Sequence, residues 1–256
     1  MCVDTEQLTK SADYYGHHYL THEQMEQERA EIEEYLELGA YHSNGYSHPL
    51  LPVITNEEPH RFQMFRWGLI PFFIKTEADA QLIKKKCLNA MGETIWDKPS
   101  FREAAKKRRC LIVLDGFFEH HAYNGKKYPF FISLKKDEPM TVAGLWEQWE
   151  NKATGEIKHT TTIVTTVGND MMRFIHNSKR TEEVGPRMPL ILPKELIKDW
   201  LKPINDNADK ELIKELIQPY DESEMQAWPV RQLLGKNGVG NSPLANVHHE
   251  YEELPY

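Results

Sequence analysis

The middle of this chain is a succession of short apolar runs separated by turn signals, and this pattern constrains the fold most strongly. The strand-like runs are residues 61–69, 109–114, 128–134, 140–149 and 158–166. Residues 137–139 (DEP) and 151–155 (NKATG) are turn sequences between the last three runs. Short strands that are joined by tight turns pair antiparallel, so the sequence predicts an antiparallel meander.

Helical patterns surround these strands without alternating with them one for one. They cover residues 23–38, 100–107, 169–175, 194–201 and 206–217. Regular strand–helix–strand units mark parallel sheets, and their absence favours an α+β fold around a mainly antiparallel sheet. Residues 41–59, with an Asn-Gly pair and three prolines, are predicted to be irregular. The 256 residues contain no repeat or flexible linker, so we expect one domain.

Charge is unevenly distributed along the chain. The net charge of −8 argues against nucleic acid as a partner. However, residues 22–37 carry seven acidic side chains against one arginine, a local balance of −6. Two compact basic runs, residues 84–86 (KKK) and 106–109 (KKRR), stand on an otherwise neutral body. Each run is either a solvated face or a local phosphate-binding surface, and the sequence leaves both open.

Cysteine usage and the N-terminal sequence indicate a reducing compartment. Cys2, Cys87 and Cys110 form no C-x-x-C pair, which argues against a disulfide framework and a structural zinc site. No apolar run reaches 18 residues, and the first residues lack the basic and apolar parts of a signal peptide. The histidines lack metal-ligand spacing. We therefore expect a cytoplasmic protein with no membrane segment, no metal and no cofactor.

Cys2 is the most informative single residue. If Met1 is removed, the chain begins with an amine and a thiol on one residue. Such a 1,2-aminothiol condenses with an aldehyde and closes to a thiazolidine ring. The amine and the thiol have ordinary pKa values of about 8 and about 8.5, so both are partly reactive near neutral pH. A frayed terminus without function is the alternative interpretation.

Four further segments hold side chains that suit a functional site. Glu119 ends an apolar run between aromatic residues, which suits either a structural ion pair or a carboxyl of raised pKa. Asn89, among small residues, either secures a turn or contacts substrate. His176 and Arg187 flank a polar segment and are either structural or phosphate-binding. Residues 67–73 (WGLIPFF) are either core or a stacking platform for bases.

The order of these motifs is more specific than any one of them. Along the chain come Cys2, WGLIP from Trp67, LNAMGET from Leu88, RRCLIVLDGFFE from Arg108, AGLWE from Ala143, TIVTT from Thr162, IHN from Ile175 and RMPLIL from Arg187. This order strongly resembles the SOS response-associated peptidase family, also called abasic-site processing proteins. The resemblance extends from Cys2 to about Trp200.

The resemblance implies a single domain over residues 1–256, with its sheet curled into a barrel-like core and with peripheral helices. A variable acidic helical segment near residues 20–40 and a variable C-terminal tail from about residue 203 would belong to it. Members of the family bind single-stranded DNA that has lost a base and capture its sugar aldehyde. We accordingly expect a monomer whose partners are abasic single-stranded DNA and replication or repair proteins. It would be associated with the nucleoid when it acts on DNA.

The resemblance also implies roles for individual residues. Cys2 would be the nucleophile and amine donor, and Asn89 would orient it. Glu119 would be the general acid and base, and His176 would hold a phosphate and shuttle protons. The same group would release Met1, a peptidase activity, and would support crosslink reversal or strand cleavage, a lyase activity. DNA contacts would come from Trp67, Gly68, Phe72, Phe73, Lys84, Lys85, Lys86, Thr165 and Arg187.

Several residues differ from the family pattern, and these differences bear on the expected binding of DNA. Val3 and Asp4 stand where Gly-Arg is usual, which replaces a cation with an acid. Met91 stands where an arginine is frequent, and the basic run at residues 84–86 would compensate for the lost charge. His120 follows the glutamate where a tryptophan is usual. The predicted catalytic residues themselves match the pattern.

Two other functions stay open at this point. A peptidase that acts on its own Met1 or on other peptides predicts hydrolysis without any dependence on DNA. A non-covalent module for single-stranded DNA predicts salt-sensitive binding that Cys2→Ala leaves unchanged. Neither alternative needs a thiol on the first residue of the mature chain, which favours covalent capture.

Overall fold

The computed structural model describes residues 3–7, 40–178 and 184–254. The strands of this part are β1 (Asp4–Gln7), β2 (Ala40–Asn44), β3 (Leu50–Thr55), β4 (Phe62–Trp67), β5 (Asn89–Met91), β6 (Arg109–Leu114), β7 (Gly116–Tyr123), β8 (Lys126–Leu134), β9 (Met140–Glu150), β10 (Ile157–Val167), β11 (Arg187–Pro189) and β12 (Met225–Pro229). Its α-helices are α1 (Glu77–Lys84), α2 (Arg102–Lys107), α3 (Asp170–Ile175), α4 (Ile197–Leu201) and α5 (Asn207–Glu215). Cys2 and the predicted helix at residues 23–38 lie outside the described residues.

Five strands close into a barrel. Their hydrogen-bonded order is β10-β4-β3-β6-β9, and β9 pairs with β10 to complete the ring. Four of these pairs are antiparallel, and β4 runs parallel to β10. The 11-residue strand β10 also pairs with β5, in parallel, and with β11, antiparallel. The predicted α+β class and barrel-like core are confirmed.

A second sheet shares a hydrophobic core with the barrel. Its five strands have the order β12-β8-β7-β1-β2 and are antiparallel throughout. On β6, Cys110, Ile112 and Leu114 belong to the core shared with this sheet, whereas Leu111 and Val113 pack against helix residues. This division follows from the two-residue period of a strand, which sends successive side chains to opposite faces. Strand β7, at the centre of the second sheet, carries Glu119.

Arg109 connects the barrel to two helices. The side chain is fully buried, and its guanidinium donates to the carbonyls of Ala105 at 2.6 Å, Lys106 at 3.0 Å and Trp200 at 2.7 Å, and to that of Lys202. These carbonyls lie at the C-terminal ends of α2 and α4, where the helix dipole favours a cation. Burial lowers the pKa of Arg109 to about 10, so it stays charged at neutral pH. Arg109 is therefore a structural residue and is not part of a phosphate-binding surface.

The predicted elements match the structure closely where apolar runs are long. Strand β6 has the predicted bounds, and β4, β8, β9 and β10 differ from prediction by at most two residues at either end. The prediction that residues 41–59 are irregular is wrong, because most of β2 and all of β3 form there and β3 belongs to the barrel. Buried Leu51 and Val53 supply the apolar alternation that the prolines of this segment obscured.

The chain beyond residue 203 contributes one strand to the second sheet. It forms α5 and then β12, which pairs with β8 at the edge of the sheet. Val230, Leu233 and Ala245 pack against Phe118 and Phe131 from β7 and β8. That this segment varies among relatives stays a prediction. Within the described ranges, no helix is long and apolar enough to cross a membrane.

Candidate active site

Glu119 occupies the centre of β7, between β1 and β8. Only 8% of the residue is exposed, and burial raises the pKa of its carboxyl above the ordinary value. The backbone N–H of His120 donates to Oε1 over 3.1 Å. A carboxyl that keeps its proton toward neutral pH is suited to donating that proton to a substrate.

His176 lies directly after α3 and faces this carboxyl. Its Nδ1 atom is 3.7 Å from Oε2 of Glu119, which is longer than a hydrogen bond but allows both groups to contact one substrate group. Burial lowers the pKa of His176 to about 4, so the ring is neutral at neutral pH. A neutral ring suits proton transfer and supplies no positive charge for the phosphate contact expected at this residue.

The backbone of Arg187 adjoins the His176 ring. Nδ1 of His176 is 3.4 Å from the carbonyl oxygen and 3.3 Å from the backbone nitrogen of Arg187. It donates to the carbonyl in one tautomer and accepts from the N–H in the other. The backbone of β11 can therefore form a hydrogen bond with Nδ1 in either tautomer of the ring.

Two side chains fasten the end of α3 to β7. Asn177 forms a reciprocal pair with the backbone of Ala122: its Oδ1 accepts from the Ala122 N–H over 2.7 Å and its Nδ2 donates to the Ala122 carbonyl over 3.1 Å. His121 donates from Nδ1 to the Phe174 carbonyl over 2.8 Å, and the two rings stack with centroids 4.6 Å apart. These contacts hold His176 opposite Glu119. The sequence analysis missed them, although Asn177 directly follows His176.

Asn89, Thr165 and Arg187 lie on three adjacent strands. Asn89 on β5 pairs with Ile163 of β10, and Thr165 of β10 pairs with Pro189 of β11. Asn89 is half-buried and stays a prediction as the residue that orients Cys2. Cys2 lies outside the described residues.

The predicted DNA contacts at Arg187 and Thr165 are not supported by their positions. Arg187 is 5% exposed and makes a bidentate pair with Glu93, with N–O distances of 2.9 and 2.7 Å. It also donates to the carbonyl of Thr165 over 2.8 Å, and Thr165 is fully buried. The charge of Arg187 is therefore matched inside the protein, and this group braces β10 and β11 against Glu93.

Trp67 and Gly68 are likewise core residues rather than a surface for bases. Trp67 is fully buried and donates from its indole nitrogen to the Leu88 carbonyl over 2.8 Å. Gly68 has a φ of +116°, and a Cβ there would lie 2.8 Å from the His48 ring and 2.9 Å from the Lys84 carbonyl. Their burial gives no support to the predicted DNA contacts at Trp67 and Gly68, which stay predictions.

Phe72, Phe73 and the lysine run are accessible, in contrast. Phe72 is 54% exposed and Phe73 is 44% exposed, and Lys85 and Lys86 are exposed while Lys84 is half-buried. Burial lowers the pKa of Lys84, and nearby positive charge, including that of Arg66, lowers it further. Within the described ranges, no ion pair includes Arg66 or any of these three lysines, whereas neighbouring Lys158 pairs with Glu77. This surface keeps unmatched positive charge on an acidic protein.

Asp4, which stands where the family usually has arginine, has internal partners. The residue is 3% exposed, and its Oδ1 atom lies 2.8 Å from Nε2 of His42 and accepts from Nδ2 of Asn44 over 2.7 Å. Both partners lie on β2, the neighbour of β1. The acidic replacement is therefore accommodated by the sheet.

The two described cysteines are unsuited to nucleophilic chemistry. Burial raises the pKa of Cys87 to about 11 and that of Cys110 to about 12, so both stay protonated. In the described part of the chain, no group of three or more histidine, cysteine, aspartate or glutamate side chains is arranged to hold a metal ion. Of the three cysteines in the sequence, this leaves Cys2 as the candidate nucleophile.

Together, the fold and the site define a class: an α+β barrel protein with a buried carboxyl group and a buried imidazole 3.7 Å apart. The sequence profile described as SOS response associated peptidase (SRAP) matches residues 4–237. The chain belongs to this family.

Named relatives and a solved structure agree with this assignment. The abasic site processing protein YoqW of Bacillus subtilis is 37% identical over 225 residues, covering 86% of this chain and 93% of YoqW. The abasic site processing protein HMCES of Gallus gallus is 31% identical over 156 residues, covering 53% of this chain and 44% of that protein. A crystal structure of a Bacteroides thetaiotaomicron protein has a TM-score of 0.82 and 31% identity, and the match covers 97% of this chain and 100% of that one.

Proposed function

We propose that this chain recognises abasic sites in single-stranded DNA and captures them covalently through Cys2 as a thiazolidine. The names of the relatives, abasic site processing proteins, support the DNA lesion as the target. The covalent chemistry is our inference from the site. It accounts for a buried acid–base pair beside β1, the strand that follows Cys2 in the sequence.

The observation that carries the proposal is the register between β1 and β7. Asp4 lies opposite Phe118 and Thr5 opposite Phe117, so continuation of the register brings Val3 opposite Glu119. Cys2 is bonded to Val3, with about 3.8 Å between their Cα atoms. A chain that starts at Cys2 therefore has its amine and thiol within reach of the Glu119–His176 pair.

Thiazolidine formation needs proton transfers that this pair can perform. The Cys2 amine adds to the aldehyde carbon of the opened sugar, and the product loses water to give an imine. Sγ then adds to the imine carbon, and the thiol proton passes to the nitrogen. Protonated Glu119 supplies the proton that the departing water needs, and neutral His176 accepts and returns protons. One water is released, and nothing is oxidised or reduced.

The same pair accounts for the removal of Met1. Water adds to the Met1 carbonyl carbon as His176 takes a proton, and Glu119 protonates the departing Cys2 nitrogen. This hydrolysis is the peptidase activity that we propose. An imine at the sugar also acidifies the adjacent carbon, which would permit slow strand cleavage, the lyase activity.

Phosphate contacts in this proposal come from Arg66 and residues 84–86, whose neighbouring cations favour a polyanion. The exposed rings of Phe72 and Phe73 offer stacking area for bases. We further propose that the protein acts as a monomer in the cytoplasm, at the nucleoid, beside replication or repair proteins.

The second candidate function is a peptidase that acts on its own N-terminus or on other peptides. The Glu119–His176 pair favours it, because an acid and a base at 3.7 Å serve amide hydrolysis equally well. A non-covalent binding module is disfavoured, because a buried carboxyl of raised pKa lowers stability without adding to DNA affinity.

The deciding experiment is a denaturing gel of protein incubated with single-stranded DNA that carries one abasic site. We expect a heat-stable, slowly migrating band from the wild type and none from Cys2→Ala. Cys87→Ala is the matched control for a thiol, and it should keep the band. Mass spectrometry of the same samples reports whether Met1 is absent. A band of equal intensity from Cys2→Ala would exclude the thiazolidine.

A further inference from the structure

An exposed aromatic ring lies beside the acid–base pair. Phe174 is 58% exposed although it is two residues before buried His176. One face of its ring is covered by His121, with an interplanar angle of 26°. The ring is therefore stacked on one face and open to solvent on the other, so that a second planar group could stack on the open face.

The orientation of this ring is fixed before any ligand binds. The carbonyl of Phe174 accepts from His121, whose ring is flanked by Tyr123 at 6.4 Å and by the edge of Phe130 at 6.0 Å. The reciprocal pair of Asn177 with Ala122 fastens the same end of α3. A ring held in this way loses little conformational entropy when a planar group stacks on it.

The ring also lies where the neighbours of a lesion would pass. Glu119, His121 and Tyr123 alternate along β7 and share one face of the strand. Phe174 stacks on the second of these residues, while Glu119 acts at the abasic sugar in the proposed function. A planar group on Phe174 would therefore belong to a nucleotide adjacent to that sugar.

We propose that Phe174 is a stacking platform for the nucleobase next to the abasic sugar. The proposal rests on the proposed function and names a ligand for its site. Loss of a base leaves each neighbouring base with one uncovered face, and in intact DNA that face is already covered. Covering this face stabilises the bound lesion more than intact DNA, so the platform contributes selectivity.

The charges around the ring agree with a base rather than a phosphate as the occupant. Arg173 beside Phe174 is paired with Asp170 over 2.7 Å, and both are exposed. The platform therefore offers an aromatic face beside a neutralised pair, which suits an uncharged planar group.

The test uses the full chain with single-stranded DNA that contains a tetrahydrofuran abasic analogue, which has no aldehyde and cannot be captured. A fluorescent 2-aminopurine is placed on one side of the analogue or on the other. We expect binding to quench the fluorophore on one side. Phe174→Leu should remove the quenching and weaken binding roughly five- to hundredfold, and Phe174→Trp should restore both.

A substrate control separates stacking from a general defect. In it, the responding neighbour is replaced by a second tetrahydrofuran, so that no base is available for the ring. Wild type and Phe174→Leu should bind this DNA equally. Equal affinity of the two proteins for DNA with the neighbouring base, or an equal loss with both DNAs, would overturn the platform. Failure of covalent capture would instead contradict the proposed function, because this assay involves no covalent step.

Discussion

Burial raises the pKa of Glu119 and lowers that of His176, and both residues therefore affect how stability depends on pH. The raised pKa of Glu119 contributes stability that is present below its unfolded pKa and is lost as pH rises through the folded value. The lowered pKa of His176 acts oppositely: its contribution is present above about pH 6.5 and is lost as pH falls toward 4. The two effects oppose each other in mildly acidic solution.

Replacement of the acid tests the first effect. Glu119→Gln should be more stable than the wild type at pH 8, because the amide never has to ionise in a buried position. It should also slow covalent capture by about 10²- to 10⁴-fold, the usual contribution of a positioned general acid. Thermal unfolding at pH 8 and pH 5, together with single-turnover gel assays, measures both. A variant that is less stable than the wild type at pH 8 would contradict the raised pKa.

Acid titration of the histidine tests the second effect. A pKa of about 4 against about 6.5 in the unfolded chain corresponds to a loss of about 3 kcal/mol of stability when the pH falls below 4. His176→Gln lacks this titration, so it should lose less stability than the wild type between pH 7 and pH 4.5. Urea denaturation of both proteins at the two pH values provides the comparison. Parallel losses would mean that the His176 pKa is ordinary.

At the scale of elements, the proposed catalytic pair of Glu119 and His176 depends on how α3 packs against β7. Asn177→Ala removes both hydrogen bonds to Ala122, which we expect to cost about 1–2 kcal/mol and to let the end of α3 move. The pKa of His176 should then rise from about 4 toward 6.5, and capture should slow while DNA affinity is kept. NMR titration of the His176 ring reports the pKa directly. Arg173→Ala, on the same short helix but with an exposed pair, is the matched control and should leave the pKa unchanged.

Sequence reasoning could find elements whose signal is local. The local patterns marked Glu119 and His176 as candidates, because an apolar run precedes one and a helical pattern ends at the other, and the family resemblance implied their roles, which stay predictions. The partners of Arg187 and Asn177 could not be predicted, since Glu93 is 94 residues from Arg187 and Ala122 is 55 residues from Asn177. Both pairs join segments that only the folded chain brings together, and Arg187, which was expected to contact DNA, pairs with Glu93 instead.

At the scale of the whole molecule, a net charge of −8 coexists with a surface of unmatched cations. Replacing Lys84, Lys85 and Lys86 by glutamate should weaken binding to single-stranded DNA strongly and should lower the salt slope by up to about two units, at roughly 0.7 per phosphate contact. Affinities at three salt concentrations measure this slope. The matched control is the exposed pair Lys152–Glu150, where Lys152→Glu should have little effect. An unchanged slope would make residues 84–86 an ordinary solvated face.

The central position of β10 has a consequence for the order of events during synthesis. This strand pairs with segments from Arg66 to Pro189, and His176 comes after it, so the acid–base pair cannot assemble until almost 190 residues exist. At ordinary rates of translation, roughly 10 to 40 s separate the synthesis of Cys2 from that point. An aminopeptidase that acts on nascent chains therefore has the first opportunity to expose Cys2. Under the proposed function, an aminothiol exposed in that interval would meet free cellular aldehydes before the site that binds DNA has formed.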